Sequence, residues 1–147
     1  MHGHGKRNDN YTTPDWFFSI LNSRFNFTVD AASTVENSKC SYRFDDGLND
    51  SWSGHRVFCN PPWSKKKLWI KKAHEEVTAD ANTICVMLLP TNSMSSSFWH
   101  EYIFGRYHYE ILNKRLFYID PDTKLAAKEA DSGTTVVYFC GKLPSKE

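Results

Sequence analysis

An asparagine followed by two prolines and a tryptophan, Asn60-Pro61-Pro62-Trp63, is the part of this chain best equipped for chemistry. It follows a short apolar run, Val57-Phe58-Cys59, that reads as a buried strand. Two consecutive prolines cannot extend that strand, because each ring fixes φ and removes an N–H donor. The chain is therefore expected to leave the sheet edge as a stiff turn whose carbonyls face a cleft. Asn60 supplies a side-chain carbonyl, the Asn60–Pro61 region supplies backbone carbonyls, and Trp63 supplies a broad aromatic face. Two acceptors beside a stacking platform suit a planar base that carries an amino group. The same residues also suit an ordinary strand-end turn, since Asn and Pro both favour turns.

The elements around this turn can be read from periodicity and punctuation. Thr13-Pro14-Asp15 opens a helix, with Thr13 as its cap, Pro14 in the first turn and an acidic residue near the N-terminus. Trp16, Phe17, Ile20 and Leu21 form its apolar face, and it ends near Arg24. Phe25 to Val29 alternates like a short strand and delivers Asp30 at its carboxyl end. Residues 31–55 are polar and interrupted by Gly47 and Gly54, a long connection of the kind that is usually functional or mobile. Leu68, Ile70, Ala73 and Val77 mark a helix over about 65–79. Thr83 to Leu89 is apolar almost throughout, as expected of a parallel strand covered on both faces, and Pro90 ends it. A polar loop from Thr91 to Ser97 leads into a helix carrying Phe98, Trp99, Tyr102 and Ile103. Tyr107 to Leu112 and Arg115 to Ile119 read as short strands, and Thr134 to Cys140 as the last one.

Strands alternating with helices predict an α/β fold with a mainly parallel sheet and flanking helices. The Asp120-Pro121-Asp122 turn allows the last strand to fold back antiparallel. Ligands of such sheets sit beyond the carboxyl ends of the strands. Asp30, Asn60 and Pro90 all fall at such ends, so one edge of the sheet collects the candidate residues.

A chain of 147 residues with 40% hydrophobic residues is expected to form a single domain, over 11–142, between a loose arm at 1–10 and a short tail at 143–147. No apolar run approaches membrane-spanning length, and the N-terminus lacks a signal-peptide core, so a soluble intracellular protein is expected. Cys40, Cys59, Cys85 and Cys140 are far apart and form no Cys-x-x-Cys pair, which argues for free thiols and against a bound metal. The net charge of +1 is too small to announce a nucleic-acid binder. Its distribution is more telling: Lys65-Lys66-Lys67 and Lys71-Lys72 follow the Asn-Pro-Pro-Trp turn directly. They suit either phosphate contacts or the solvated face of a helix.

Asn60-Pro61-Pro62-Trp63 resembles the Asn-Pro-Pro-aromatic motif of the amino-group methyltransferases, which use S-adenosylmethionine to methylate adenine N6 or cytosine N4. The surroundings are similar to the small phage and prophage DNA N6-adenine methyltransferases, the Dam-like family. The matching segments are Thr13-Pro14-Asp15-Trp16-Phe17-Phe18, Asp30-Ala31-Ala32, Asp46-Gly47-Leu48 with Trp52, and Asn60 to Trp63. Leu88-Leu89-Pro90 and Lys114-Arg115-Leu116-Phe117 follow in the same order. The likeness covers roughly residues 11 to 140.

The resemblance implies a compact, Rossmann-like methyltransferase sheet, S-adenosylmethionine as cofactor, and DNA with a flipped adenine as partner, in the cytoplasm of a bacterial host. Asn60, Pro61, Pro62 and Trp63 would be catalytic. Asp30 and Ala31 would meet the cofactor, with Asp30 on its ribose or instead capping the next turn. Asp45 and Asp46 compete for a second contact, and Asp46-Gly47 also reads as a plain turn. Thr13 and Pro14 would border the methionine end. Arg115, with Lys65, Lys66 and Lys67 behind it, would contact DNA. Two departures stand out: no Gly-x-Gly loop follows the first strand, and only 30 positions separate Asp30 from Asn60. Both leave room for a binding module that keeps the fold with reduced catalysis, and a cytosine-N4 enzyme is a second alternative, because its amino group makes the same demands on the turn. Sequence preference would have to come from the loops at 31–55, 91–97 and 113–133.

Overall fold

The computed structural model describes residues 11–113, 116–126 and 133–141; the expected arm at 1–10, Arg115 and the tail at 143–147 lie outside these residues. The chain order is helix α1 (Asp15–Phe25), strands β1 (Val29–Asp30) and β2 (Arg56–Cys59), helix α2 (Lys66–Ala79), strand β3 (Ile84–Pro90), helix α3 (Ser97–Tyr102), and strands β4 (His108–Ile111) and β5 (Thr134–Cys140). Short 3-10 turns at Trp63–Lys65 and Thr91–Ser95 lead into α2 and α3.

The strands form one sheet in the order β1-β2-β3-β5-β4. β1, β2 and β3 pair in parallel, while β5 is antiparallel to both β3 and β4. β5 is thus the one strand of the five that runs against the others, as the turn after Ile119 led one to expect. Burial on two faces explains why β3 is apolar at successive positions. Cys85, Met87 and Leu89 enter one core cluster with Trp69, Ile70, Ala73 and Val77 of α2. Val86 and Leu88 enter the other, with Phe17 and Leu21 of α1 and the Leu116 and Tyr118 side chains. The period-2 alternation of a strand therefore stitches two helical layers to one sheet. Each fully buried aliphatic side chain contributes about 1.5–3 kcal/mol.

Several local expectations change. Phe25 is helical, and the strand before Asp30 shrinks to two residues. Asn26, in the left-handed region at φ 53°, ends α1, and Asn22 Oδ1 accepts from the Phe27 N–H at 2.8 Å. Asparagine tolerates that conformation, so it stops the helix where alternation alone suggested a strand. Thr13 does not cap α1; Pro14 occupies the cap position with no side-chain hydrogen bond. Trp16 and Ile20, expected on the apolar face, are 62% and 52% exposed, while Phe17 and Leu21 are buried. The Thr91–Ser97 loop is ordered as the 3-10 turn, after which Ser96 caps α3 by accepting from the Trp99 N–H. Among the described residues, Leu116 to Ile119 forms no strand: Ile119 makes isolated bridges to Thr12 and Ala126.

Candidate active site

The parallel register of β1 and β2 pairs Asp30 with Phe58, two residues before Asn60, so both residues fall at the carboxyl edge of the sheet. The Ala31 N–H still bonds the Phe58 carbonyl at 2.9 Å, and Asn60 follows β2 directly. Beyond Asn60 the prolines end the ladder, and the Lys65 N–H closes the turn on the Pro62 carbonyl at 2.9 Å. Pro61 is buried under this turn.

Asn60 is oriented by a residue far away in sequence. Its Nδ2 donates to Thr13 Oγ1 at 3.1 Å, and Thr13 is itself only 1% exposed. Thr13 is delivered there by its neighbour: Thr12 exchanges two backbone hydrogen bonds with Ile119, at 3.0 and 2.8 Å. With the amide N–H fixed, Asn60 Oδ1 is buried with no hydrogen-bond partner. Buried acceptors are nearly always satisfied in folded proteins, so an open one at a strand end marks a place built for something else.

Asn60 and Pro62 line a cavity of about 310 Å³ that also takes in Thr13, Asp30, Ala31, Asp45 and Asp46. Seven positions singled out from the sequence in separate segments therefore meet in one place, with Phe58, Leu48 and Trp69 supplying apolar wall. Asp30 is 3% exposed. Its Oδ2 accepts from the Lys39 N–H at 2.9 Å and its Oδ1 from the Ala32 N–H at 3.3 Å. Burial pushes its carboxyl above the ordinary 3.8, and the two backbone donors oppose that rise. Asp30 thus does cap the following loop, and it also faces the cavity.

Asp45 and Asp46 are exposed on the rim. Asp45 pairs with Arg43 at 3.4 Å, and Asp46 accepts from Asn49 Nδ2 at 2.8 Å while its carbonyl closes a turn on Asn49 and Asp50. Gly47 is required for close approach: a Cβ there would collide with the Ala31 carbonyl and the Trp69 ring. Its carbonyl in turn accepts from the buried Trp52 indole at 2.8 Å. The long 31–55 connection is thereby pinned against the sheet edge.

Three of the expected catalytic and cofactor residues stand apart from this cavity, the buried Pro61 among them. Pro14 is buried at the start of α1 and lies outside the lining. Trp63 also lies outside it; its ring is 8% exposed and packs edge-on against Tyr118, centroids 5.4 Å apart. The open aromatic face expected of Trp63 is instead part of the core. Lys39 is a cavity residue that sequence reasoning missed. An isolated lysine in a polar loop carries no local signal, and only the fold of residues 31–55 brings it to Asp30. Among the described residues no group of His, Cys, Asp and Glu is arranged to hold a metal ion.

Residues 2–145 match the family model described as DNA N-6-adenine-methyltransferase (Dam). The chain belongs to that family. A DNA N-6-adenine-methyltransferase of Escherichia phage T1 is 30% identical over 95 residues, which cover 61% of this chain and 39% of that protein. The family member described here is thus aligned with about two fifths of the length of that curated relative. Within it, Lys65 and Lys67 are exposed beside the Asn60 turn. Lys66 folds back, its Nζ donating to the Trp63 carbonyl at 3.3 Å and lying 5.9 Å from the Phe98 ring centre. Arg115, the leading candidate for a base contact, falls outside the described residues. Among the described residues no helix is long and apolar enough to cross a membrane.

Proposed function

We propose that this family member transfers a methyl group from S-adenosylmethionine to the N6 amino group of adenine in DNA. The observation that carries the reading is the fixed Asn60 amide, whose Nδ2 is engaged by Thr13 and whose Oδ1 is left without a partner. The cavity fits the cofactor's chemistry, with one buried carboxylate among apolar walls and a volume at the lower end of small-molecule sites. Asp30 would accept from the ribose hydroxyls, Ala31 would lie against the cofactor, and Asp45 or Asp46 would take a second polar contact at the rim. Thr13 and Pro14 would stand toward the methionine end. A sheet whose strand ends converge on such a crevice is Rossmann-like in its logic.

S-adenosylmethionine, when bound, supplies an activated methyl group. The protein's task is to prepare the acceptor. An adenine amino group is a weak nucleophile because its lone pair is delocalised into the ring. Asn60 Oδ1 and the Pro61 carbonyl accept its two N–H bonds and hold the nitrogen in a geometry that localises the lone pair. Pro62 stiffens the turn, and Trp63, wedged against Tyr118, anchors it. No side-chain nucleophile is required, so positioning and fixed dipoles carry the rate. The base must leave the duplex stack to reach the turn. Lys65 and Lys67, and Arg115, would hold the DNA backbone or read its edge.

The test is transfer of radiolabel from S-adenosylmethionine to bacterial DNA that lacks adenine methylation, followed by digestion and chromatography of the nucleosides. Label in N6-methyldeoxyadenosine is the expected result. Label in N4-methyldeoxycytidine, or no label despite cofactor binding by calorimetry, overturns the assignment.

A further inference from the structure

We infer that Lys39 and Asp15 hold the amino-acid end of S-adenosylmethionine, Lys39 taking its α-carboxylate and Asp15 its α-ammonium. This deepens the methyltransferase reading and rests on it. The charges of the cofactor cavity point to the assignment. Lys39 stands there with Asp30, Asp45 and Asp46, and is the one lysine or arginine among the described residues that line it. The cofactor has the opposite balance, a sulfonium and an ammonium against a single carboxylate. A carboxylate brought in beside three aspartates has one cation to meet.

Lys39 is placed for the methionine end of the cofactor. Its backbone N–H bonds Asp30 Oδ2 at 2.9 Å, so its main chain stands beside the carboxylate proposed for the ribose. Its side chain reaches α1, where Nζ meets Asp15 Oδ1 at 2.6 Å. Thr13, which orients Asn60, lines this cavity and an adjoining one of about 530 Å³; Lys39 lines both as well, and Asp15 lines the second. The sulfonium must present its methyl group toward Asn60, and the amino-acid end branches from that sulfur. The ion pair is also lopsided: the Lys39 side chain is 15% exposed, that of Asp15 91%. Withdrawing an ammonium from water is costly unless opposite charge encloses it, and a carboxylate open to solvent offsets little of that cost. The fold therefore gains little from the pair as it stands. A second carboxylate, shielded in the cavity, completes the surroundings of Nζ, and Asp15 meets the ammonium that accompanies it.

Calorimetry with ligands that differ only at the amino-acid end tests the assignment. S-adenosylhomocysteine carries both charged groups, decarboxylated S-adenosylmethionine keeps the ammonium, and 5′-methylthioadenosine has neither. Lys39→Met is expected to weaken S-adenosylhomocysteine by about 10- to 150-fold, the range of a hydrogen bond to a charged group, with the other two ligands near wild type. Asp15→Asn is expected to weaken the two ammonium-bearing ligands by about 2- to 5-fold, since its carboxylate is exposed. Lys39→Arg should recover most of the loss. The Lys39 contact with Asp30 is made by backbone and survives each substitution, and circular dichroism checks the fold. An equal loss for 5′-methylthioadenosine in Lys39→Met overturns the inference, because Lys39 would then act through the loop at Asp30. Wild-type affinity for S-adenosylhomocysteine in that variant also overturns it, and a reduced salt slope for DNA would then give Lys39 to a phosphate. Both results leave the methyltransferase reading intact. The expected ligand pattern in a protein that transfers no methyl group to DNA supports the clamp and removes that reading.

Discussion

At the end of β1, Asp30 has a backbone donor on each carboxylate oxygen; one strand away, at the end of β2, Asn60 commits half its amide to Thr13 and leaves the other half bare. Asp30 is paired with Phe58, two residues before Asn60, and both Asp30 and Asn60 line the same cavity. They differ in what the fold asks of them. Asp30 organises the loop that follows it, so its structural and binding roles are inseparable. Asn60 holds together little beyond its own orientation, so its open oxygen is free for a ligand. A strand end can thus be built to carry structure and function at once, or function nearly alone.

Asn60→Ala tests the second kind and should give the largest effect. Methyl transfer is expected to fall by more than tenfold, a loss above about 1.4 kcal/mol, with melting temperature and cofactor affinity close to wild type. Asn60→Asp keeps an acceptor and lets the Thr13 hydroxyl donate instead, so it should retain measurable activity. A tenth or more of wild-type rate in the alanine variant would remove Asn60 from the chemistry.

Asp30→Ala tests the first kind. Cofactor affinity should drop on the order of tenfold, because a hydrogen bond to a charged group contributes about 1.5–3 kcal/mol. Unlike the Asn60 variant, it should also speed amide exchange at Ala32 and Lys39, whose N–H groups lose their acceptor. If exchange rises but affinity holds, Asp30 is a cap alone and the ribose contact moves to Asp45 or Asp46.

Acidity separates the two roles further. Burial raises the Asp30 carboxyl above 3.8. The ionised form is needed to accept from a ribose, so cofactor affinity should decline as pH falls through that raised value. Stability runs the other way. The folded chain holds this proton more tightly than the unfolded chain, so the contribution of Asp30 is fully present below 3.8 and is lost as pH rises through the raised value. Calorimetric titrations of wild type and Asp30→Asn across that window measure the first trend; an unchanged profile in the variant assigns it elsewhere.

Thr13→Val should have a smaller effect on the Asn60 end. It removes the acceptor that fixes the amide, so kcat is expected to fall severalfold, with recovery in Thr13→Ser. Loss of cofactor affinity in place of kcat would mean that Thr13 acts on the cofactor cavity it lines and not on Asn60. The smallest effect belongs to the lysines beside the turn. Lys65→Ala and Lys67→Ala should each reduce the slope of log affinity for DNA against log salt by about 1. Lys66→Ala should change it less, since that side chain is folded onto Trp63 and Phe98. Identical slopes for wild type and a variant with Lys65, Lys66 and Lys67 all replaced by alanine would place the DNA-facing surface elsewhere.

Two tryptophans show where sequence reading reached its limit. Trp16 was expected on the apolar face of α1 and Trp63 at a ligand face; Trp16 is open and Trp63 is packed on Tyr118. A single helix presents an apolar stripe wider than its neighbours can cover, and periodicity does not say which margin stays uncovered. For Trp63 the deciding residue is 55 positions away, in the segment carrying Tyr118. Nothing local to Asn-Pro-Pro-Trp encodes that contact.

The sequence by itself determined the elements whose signal is local. β3 and β5 follow from uninterrupted apolar runs, α2 from its 3.6-residue period, and the Asn60 turn from two prolines that cannot continue a strand. It also placed Asp30 and Asn60 at strand ends, because alternating strands and helices predict a parallel sheet with one functional edge. Tertiary structure alone decided what those residues touch. The Thr12–Ile119 pair carries Thr13 to Asn60, the folded 31–55 connection carries Lys39 to Asp30, and Gly47 lets that connection close on Ala31. The physical reason is range: helix caps, turns and periodicity act over a few residues, whereas the orientation of one amide depends on a hydroxyl 47 positions away.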